Sequence, residues 1–378
     1  MVTKNLFSLA ATSAKCLCLV AAAATALSLA SCSDDDDGDG GSSYGSETAG
    51  QVTGTDGVTY WITGANGLYF DYDDEGTLVG ITDGDYDYEV SYNPFTISYS
   101  YEYKDDYYET YSATWSNIVV NSNGYITSAK ISYEGTEEDD ESNLDSYSGS
   151  QSLSFTYDND GHITEMSASH SYSGKGSYEG ETFSWSGKGS TSISYTWGND
   201  LLKEIAYSAS DKGTDSGEDF SDSYTRTYTY DYTEDYPNAT LQYTPALIMD
   251  VWGDIGTLWT FSIGYNGKGP AYHPTSCDAY EVDDYYYEVD DYYEESYTLF
   301  MKYDLNDSGT VGTFYYTYDE AWSYYYRIKY AYSQLSDLGV KTRATVKETP
   351  SSEEGNSVRK HRGFLGSRRH HLRSAESE

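Results

Sequence analysis

Basic side chains are scarce in this chain. Its 378 residues carry 22 Lys and Arg against 62 Asp and Glu, a formal net charge of −40. A surface that neutralised a row of phosphates would have to form against that field, which excludes nucleic acid as a partner. Histidine is also sparse, and outside the terminal tail only His162, His170 and His273 remain. That is too few for metal or acid–base work, and the Gly161 turn beside His162 and Pro274 beside His273 place both rings in solvated loops. There is no G-x-S-x-G elbow, no H-E-x-x-H pair and no G-x-x-x-x-G-K-[ST] loop. Carboxylate pairs are so numerous that a two-carboxylate hydrolase site would be unconstrained. We therefore assign no catalytic and no cofactor-binding residue, and read the chain as a non-enzyme.

Leu, Ile, Val and Phe together make up about a sixth of the chain, a fraction that with such charge ordinarily marks disorder. The 45 Tyr and 7 Trp reverse that reading, because their rings bury large areas and favour strands. Of the four cysteines, Cys16 and Cys18 lie in the one long apolar run. The other two, Cys32 and Cys277, cannot supply an internal disulfide framework to an exported chain, and Cys277 reads as a small core residue.

The apolar run from Cys16 to Ala30 follows Lys4 and Lys15 and is too short to span a bilayer. It closes in Leu29-Ala30-Ser31-Cys32, which resembles a bacterial lipobox. Residues 1–31 are accordingly read as a lipoprotein signal peptide, with Cys32 acylated and holding the mature chain to a membrane. Behind it, Ser33-Asp34-Asp35-Asp36-Asp37-Gly38-Asp39-Gly40-Gly41 repels itself and is rich in glycine, so residues 32–56 are expected to be a flexible tether. The acidic run is similar to the surface-export signal of Bacteroidota lipoproteins, which implies an outer-membrane address on the cell surface.

Between residues 57 and 335 the chain alternates with period two, as a strand with one buried face must. Phe95, Ile97, Tyr99, Tyr101 and Tyr103 alternate with polar residues, and the beat returns at Ile193–Trp197, Tyr224–Tyr232, Trp259–Tyr265 and Trp322–Tyr330. One helical signal interrupts it, where Thr244 and Pro245 suit an N-cap and first helical position. Tyr72-Asp73-Asp74-Glu75-Gly76-Thr77-Leu78 and Tyr157-Asp158-Asn159-Asp160-Gly161-His162-Ile163 share one turn frame, with Asn121-Ser122-Asn123-Gly124-Tyr125 as a variant. An Asx residue opens each turn and glycine takes its left-handed position. An EF-hand reading of Asp71, Asp73, Glu75 and Gly76 fails, because the twelfth position is Thr82 and not a bidentate Glu.

Some 15 to 18 strand-like segments follow, so the fold class is all-β: an antiparallel meander of hairpins forming a soluble porin-like barrel or strongly curved sheet, with one short helical insert. The lipobox, the acidic follower, the Tyr/Ser/Thr-rich strands and the Tyr-Asp-x-x-Gly hairpins together resemble Bacteroidota lipoproteins containing a domain of unknown function with a porin-like β fold. That resemblance carries no catalytic residues. It also implies no membrane-spanning barrel, since the strands show Ser, Thr, Asp and Glu where a spanning barrel needs an aliphatic band.

Two segments differ in composition. The heptads Glu281–Tyr287 and Glu288–Glu294 repeat the pattern E-V-D-D-Y-Y, and because seven is odd a turn or long loop is expected between Asp283 and Tyr293. Its carboxylates Asp283, Asp284, Asp290 and Asp291 are the candidate calcium ligands, and Tyr285, Tyr286, Tyr292 and Tyr293 the candidate stacking residues. The second segment is the basic tail, 336–378, which lacks any apolar period and is expected to be disordered. The function these features favour is a cell-surface lipoprotein that binds glycan or peptide, or serves as a structural module. A subunit of an outer-membrane assembly and a hydrolase assembled only in the fold stay open as alternatives. The sequence assigns no oligomeric state.

Overall fold

The structure, a computed structural model, describes residues 49–338 apart from 85, 93, 105–107, 139–143, 179–180, 250–255 and 288. The signal peptide, Cys32, most of the tether and nearly all of the basic tail lie outside the described residues. Eighteen strands form one antiparallel sheet. The first five are short: β1 (Gln51–Thr53), β2 (Thr59–Ala65), β3 (Leu68–Tyr72), β4 (Leu78–Thr82) and β5 (Asp87–Ser91). β6 (Thr96–Lys104), β7 (Tyr108–Val120), β8 (Ile126–Glu138) and β9 (Leu144–Tyr157) lengthen steadily. β10 (Ile163–Tyr178), β11 (Glu181–Gly198), β12 (Leu201–Asp215), β13 (Glu218–Pro237), β14 (Tyr272–Tyr287) and β15 (Val289–Leu305) make a tall wall. β16 (Val311–Thr317), β17 (Tyr326–Lys329) and β18 (Ala331–Ser333) are short again. β1 falls inside the stretch read as tether, where it pairs with β2.

From β2 to β17 each strand pairs with the next in sequence, the meander that the hairpin frames predict. β17 pairs with β16 and β18 with β2, and only Tyr330 separates these two pieces. The ends of the meander therefore meet in one segment without sharing a continuous ladder, and the sheet is strongly curved but not closed. Tyr330 ties the seam: its N–H donates to Gly312 O at 3.0 Å and its phenol to Asn66 Oδ1 at 2.6 Å.

Period two sorts the two faces. One inward row, Phe155–Met166–Ile193–Tyr207–Arg226–Glu281, crosses six strands and is buried throughout. The adjacent outward row is Ser154–Ser167–Ser192–Ser208–Thr225, with Ser154 and Ser167 hydroxyls 2.7 Å apart. Hydroxyl-rich rows of this kind leave the outward face of β9–β13 without the aliphatic band of a lipid-facing strand.

Residues 238–249 and 256–271 leave the sheet and fold into its concave side. They contain a 3-10 turn, η1 (Pro245–Leu247), and a short helix, α1 (Leu258–Ser262). η1 begins where the Thr244-Pro245 signal predicts, although Thr244 makes no side-chain cap. The strand expected over Trp259–Tyr265 is instead α1 and the turn after it. Trp259, Phe261, Ile263 and Tyr265 are all buried, and so are Thr260 and Ser262 between them. The two hydroxyls bond back to the carbonyls of Thr257 and Leu258 at 2.6 and 2.8 Å, so a helix buried on every side acquires the alternation of a strand. The beat at Trp322–Tyr330 begins late for a related reason. Trp322 and Tyr324 belong to a turn, and β17 starts at Tyr326.

The insert is fastened to the sheet by backbone hydrogen bonds. Ile126 N–H donates to Tyr265 O at 2.9 Å, Gly50 N–H to Ile263 O at 2.8 Å, Lys268 N–H to Gly161 O at 2.9 Å and Ala271 N–H to Asp200 O at 2.8 Å. Trp259 meets Trp115 of β7 edge-on at 5.2 Å between centroids, and Tyr265 lies 5.9 Å from Phe95. Insert and strands thus share one core.

Candidate functional site

Where the insert meets the strand ends it leaves a cavity of about 240 Å³. Asn123 and Tyr125 line it from the β7–β8 turn, Ile62 from β2, and Gln242, Tyr243 and Lys268 from the insert. The turn is fixed because Asn121 Oδ1 accepts the N–H groups of Asn123 and Tyr125 at 2.9 and 3.0 Å, with Gly124 at φ 84°. On the insert side, Asn238 Oδ1 accepts the Gln242 N–H at 3.1 Å, and the Tyr243 phenol donates to Lys268 O at 2.8 Å. Gln242 Oε1 accepts hydroxyls from Thr240 and Tyr332, both at 2.9 Å. Burial raises the Tyr125 phenol above its ordinary pKa, so it stays a neutral donor. The lining holds amides, hydroxyls, aromatic faces and one ammonium, and no Asp, Glu, His or Cys. That composition supplies the cavity with groups suited to orienting a neutral polar ligand.

The described carboxylates that enter the interior are held by hydrogen-bond and ion-pair partners there. Glu281 Oε2 lies 3.2 Å from Arg226 Nε and accepts the Tyr224 phenol at 3.1 Å. Its Oε1 accepts Tyr228 at 3.2 Å and Tyr297 at 2.7 Å. Asp211 accepts the Tyr172 phenol at 2.8 Å and the Lys212 N–H at 2.8 Å.

The histidines are not solvated loop residues, contrary to the reading of their neighbours. His162 is buried, stacks on Trp197 at 4.2 Å and holds Asp158 Oδ2 with Nδ1 at 3.1 Å. His273 is fully buried against the Tyr303 ring at 4.6 Å, and burial pushes its pKa down to about 3. Each stands at a strand edge where alternation turns the side chain inward, and rings from distant segments cover it. Cys277 is a buried free thiol, as expected of a core residue.

The acidic heptads form the β14–β15 hairpin. The register pairs Asp283 with Tyr293, Asp284 with Tyr292, Tyr285 with Asp291, Tyr286 with Asp290 and Tyr287 with Val289, so the chain reverses within the expected span. Cross-strand partners share a face, so positions 283 and 291 fall on one face and 284 and 290 on the other. By register the candidate positions therefore fall on both faces of the hairpin. The side chains of Asp284, Tyr285, Tyr286, Asp290, Asp291, Tyr292 and Tyr293 lie outside the described residues, as does Cys32. Among the described residues no three His, Cys, Asp or Glu side chains gather as metal ligands do.

By fold the chain is an all-β protein built on one antiparallel eighteen-stranded sheet around an internal insert. No family model matches it, and no curated protein matches it in sequence. Among solved structures it is similar to a porin-like protein from Bacteroides uniformis, with 11% identity, 63% of this chain and 95% of that chain covered, and a TM-score of 0.21.

The sequence reading missed the cavity residues. Asn123 and Tyr125 carried the Asx-x-x-Gly turn frame, which speaks of backbone shape alone, and Phe261, Ile263 and Tyr265 carried an alternation that pointed to a strand.

Proposed function

We propose that this protein is an exported, lipid-anchored and non-catalytic module that binds glycan, held at the outer membrane by acylated Cys32 and displayed on the cell surface. The observation that carries the reading is the composition of the cavity. Aromatic faces of Tyr125 and Tyr243 suit the apolar faces of a sugar ring, while Asn123, Gln242 and Lys268 suit its hydroxyls. The lipobox ending in Cys32 and the acidic tether behind it support the anchor and the address. A peptide ligand fits less well, because the described walls offer no carboxylate for a basic side chain. A glycan array followed by mass spectrometry of the recovered ligand tests the proposal. Retention of a neutral glycan returned intact supports it, and shortened products would replace it with a hydrolase.

A further inference from the structure

A related turn occurs at Asp319, in a form that the copies at Asp73, Asn121 and Asp158 avoid. In the turns opened by Asp73, Asn121 and Asp158, one side-chain oxygen accepts the N–H groups two and four residues on, and glycine three residues on has φ of 82°, 84° and 92°. At Asp319 the two N–H groups go to separate oxygens, Ala321 to Oδ1 at 3.0 Å and Ser323 to Oδ2 at 2.9 Å, and Trp322 N–H donates to Asp319 O at 2.9 Å. The residue in the glycine position here is Trp322, at φ 55°. A bulky aromatic side chain in the left-handed region is strained, and strain that persists at one copy of a repeated turn points to a use for the side chain.

The use is legible in what surrounds it. Lys302 Nζ lies 3.8 Å from the Trp322 ring centroid. Tyr324 and Tyr325 beside it are 50% and 56% exposed, and Tyr325 meets Tyr315 edge-on at 5.7 Å. Tyr315 sits between Lys302 and Arg327 on the outward face, and its phenol donates to Asp304 Oδ2 at 2.6 Å. The patch is thus a cluster of aromatic rings, Tyr324 and Tyr325 exposed and Trp322 and Tyr315 half-buried, among charges of both signs, Lys302, Arg327 and Lys329 against Asp304, Asp319 and Glu320. No Leu, Ile, Val or Phe stands in Asp319–Arg327, so the patch offers aromatic rings without an aliphatic anchor. The net charge of −40 repels polyanions.

We propose that the Asp319–Tyr325 turn is a second carbohydrate surface, on which Trp322 and Tyr325 stack against sugar rings of a neutral polysaccharide. The site rests on the glycan-binding reading but is separate from the cavity. Trp322 is then retained against the turn's own preference, which sets an unusual expectation. Trp322→Gly and Trp322→Asn relieve the backbone, so their Tm should equal or exceed that of the wild type by up to about 3 °C while polysaccharide binding falls at least about tenfold.

The experiment is affinity electrophoresis of the full mature chain in gels containing dextran, xyloglucan or galactomannan, with polygalacturonate gels and anionic phosphatidylglycerol vesicles as controls. Retardation by a neutral polymer that is lost in Trp322→Gly and in Tyr325→Ala, and kept in the cavity variant Tyr125→Ala, supports the proposal. A Tm falling by more than about 2 °C in both Trp322 variants would make the ring a structural prop held by Lys302 and overturn it. Equal retardation of wild type and Trp322→Gly would overturn it while leaving the cavity reading intact. Binding only to vesicles or to polygalacturonate would overturn the choice of a neutral polysaccharide.

Discussion

Trp185 covers Gly174, its direct cross-strand partner on β10, so closely that a Cβ built on Gly174 would stand 2.2 Å from the indole ring. The relationship recurs between Tyr172 and Gly187, Tyr133 and Gly149, Tyr147 and Gly135, and Phe183 and Gly176, each pair directly opposed. Glycine weakens a strand, and an aromatic ring laid over it restores the missing side-chain contact. Three tyrosines, with Trp185 and Phe183, are accounted for in this way, as the cover of a tall, glycine-bearing wall.

Gly174→Val is therefore expected to destabilise by about 1–3 kcal/mol, because the new branches must displace the Trp185 ring. Adding Trp185→Ala should return part of the loss. Urea melts of the two single variants and the double variant check this, and strictly additive losses would deny the contact.

Glu281 joins Arg226 and three phenols in the buried row, and the group is expected to behave as a unit. Glu281→Gln leaves the Arg226 charge buried without its anion and should cost about 3–5 kcal/mol. Replacing both with Met and Leu should cost much less. Equal losses for the single and double variants, read from denaturant unfolding, would show that the ion pair is incidental.

Asp158 opens a turn whose sister begins with Asn121. Burial by itself would raise the Asp158 pKa, but hydrogen bonds from the His162 N–H and ring and from the Asp160 N–H hold it below the ordinary carboxylate value. A depressed folded-state pKa contributes stability that is present above the unfolded value, near 3.8, and is lost as pH falls through the folded one. Asp158→Asn should keep the turn, as Asn121 does, and flatten the acid limb of stability below about pH 4. An unchanged slope in that range would assign the acid dependence elsewhere.

These turns were the most legible part of the fold, because an Asx side chain and a left-handed glycine act over five residues and leave a local signature. Strand number and meander order followed from them. The α1 helix was hidden by Thr260 and Ser262, whose hydroxyls satisfy themselves inside the helix and so mimic an outward strand face. Burial of His162 and His273 depends on Trp197 and Tyr303, distant in sequence, which no window of neighbours contains. The cavity draws on the β7–β8 turn and the insert, segments more than a hundred residues apart. Trp322 was legible in principle, since Asp319-x-x-Trp322 repeats the Asp-x-x-Gly frame with its glycine replaced.

The anchor is tested by removing its acceptor. Cys32→Ala should abolish incorporation of an alkynyl fatty acid and leave an unprocessed precursor or a released protein. Labelling that persists in the variant would place the acyl group on another residue.

The central claim is that the cavity between insert and sheet binds a neutral glycan without cleaving it. Isothermal titration of the mature protein with the glycan selected on the array measures this directly, with Tyr125→Ala as the control variant. The account predicts saturable binding to the wild type, at least about tenfold weaker in Tyr125→Ala, a loss of about 1.4 kcal/mol or more. Identical isotherms for the two proteins, or no heat of binding at millimolar ligand, would contradict it.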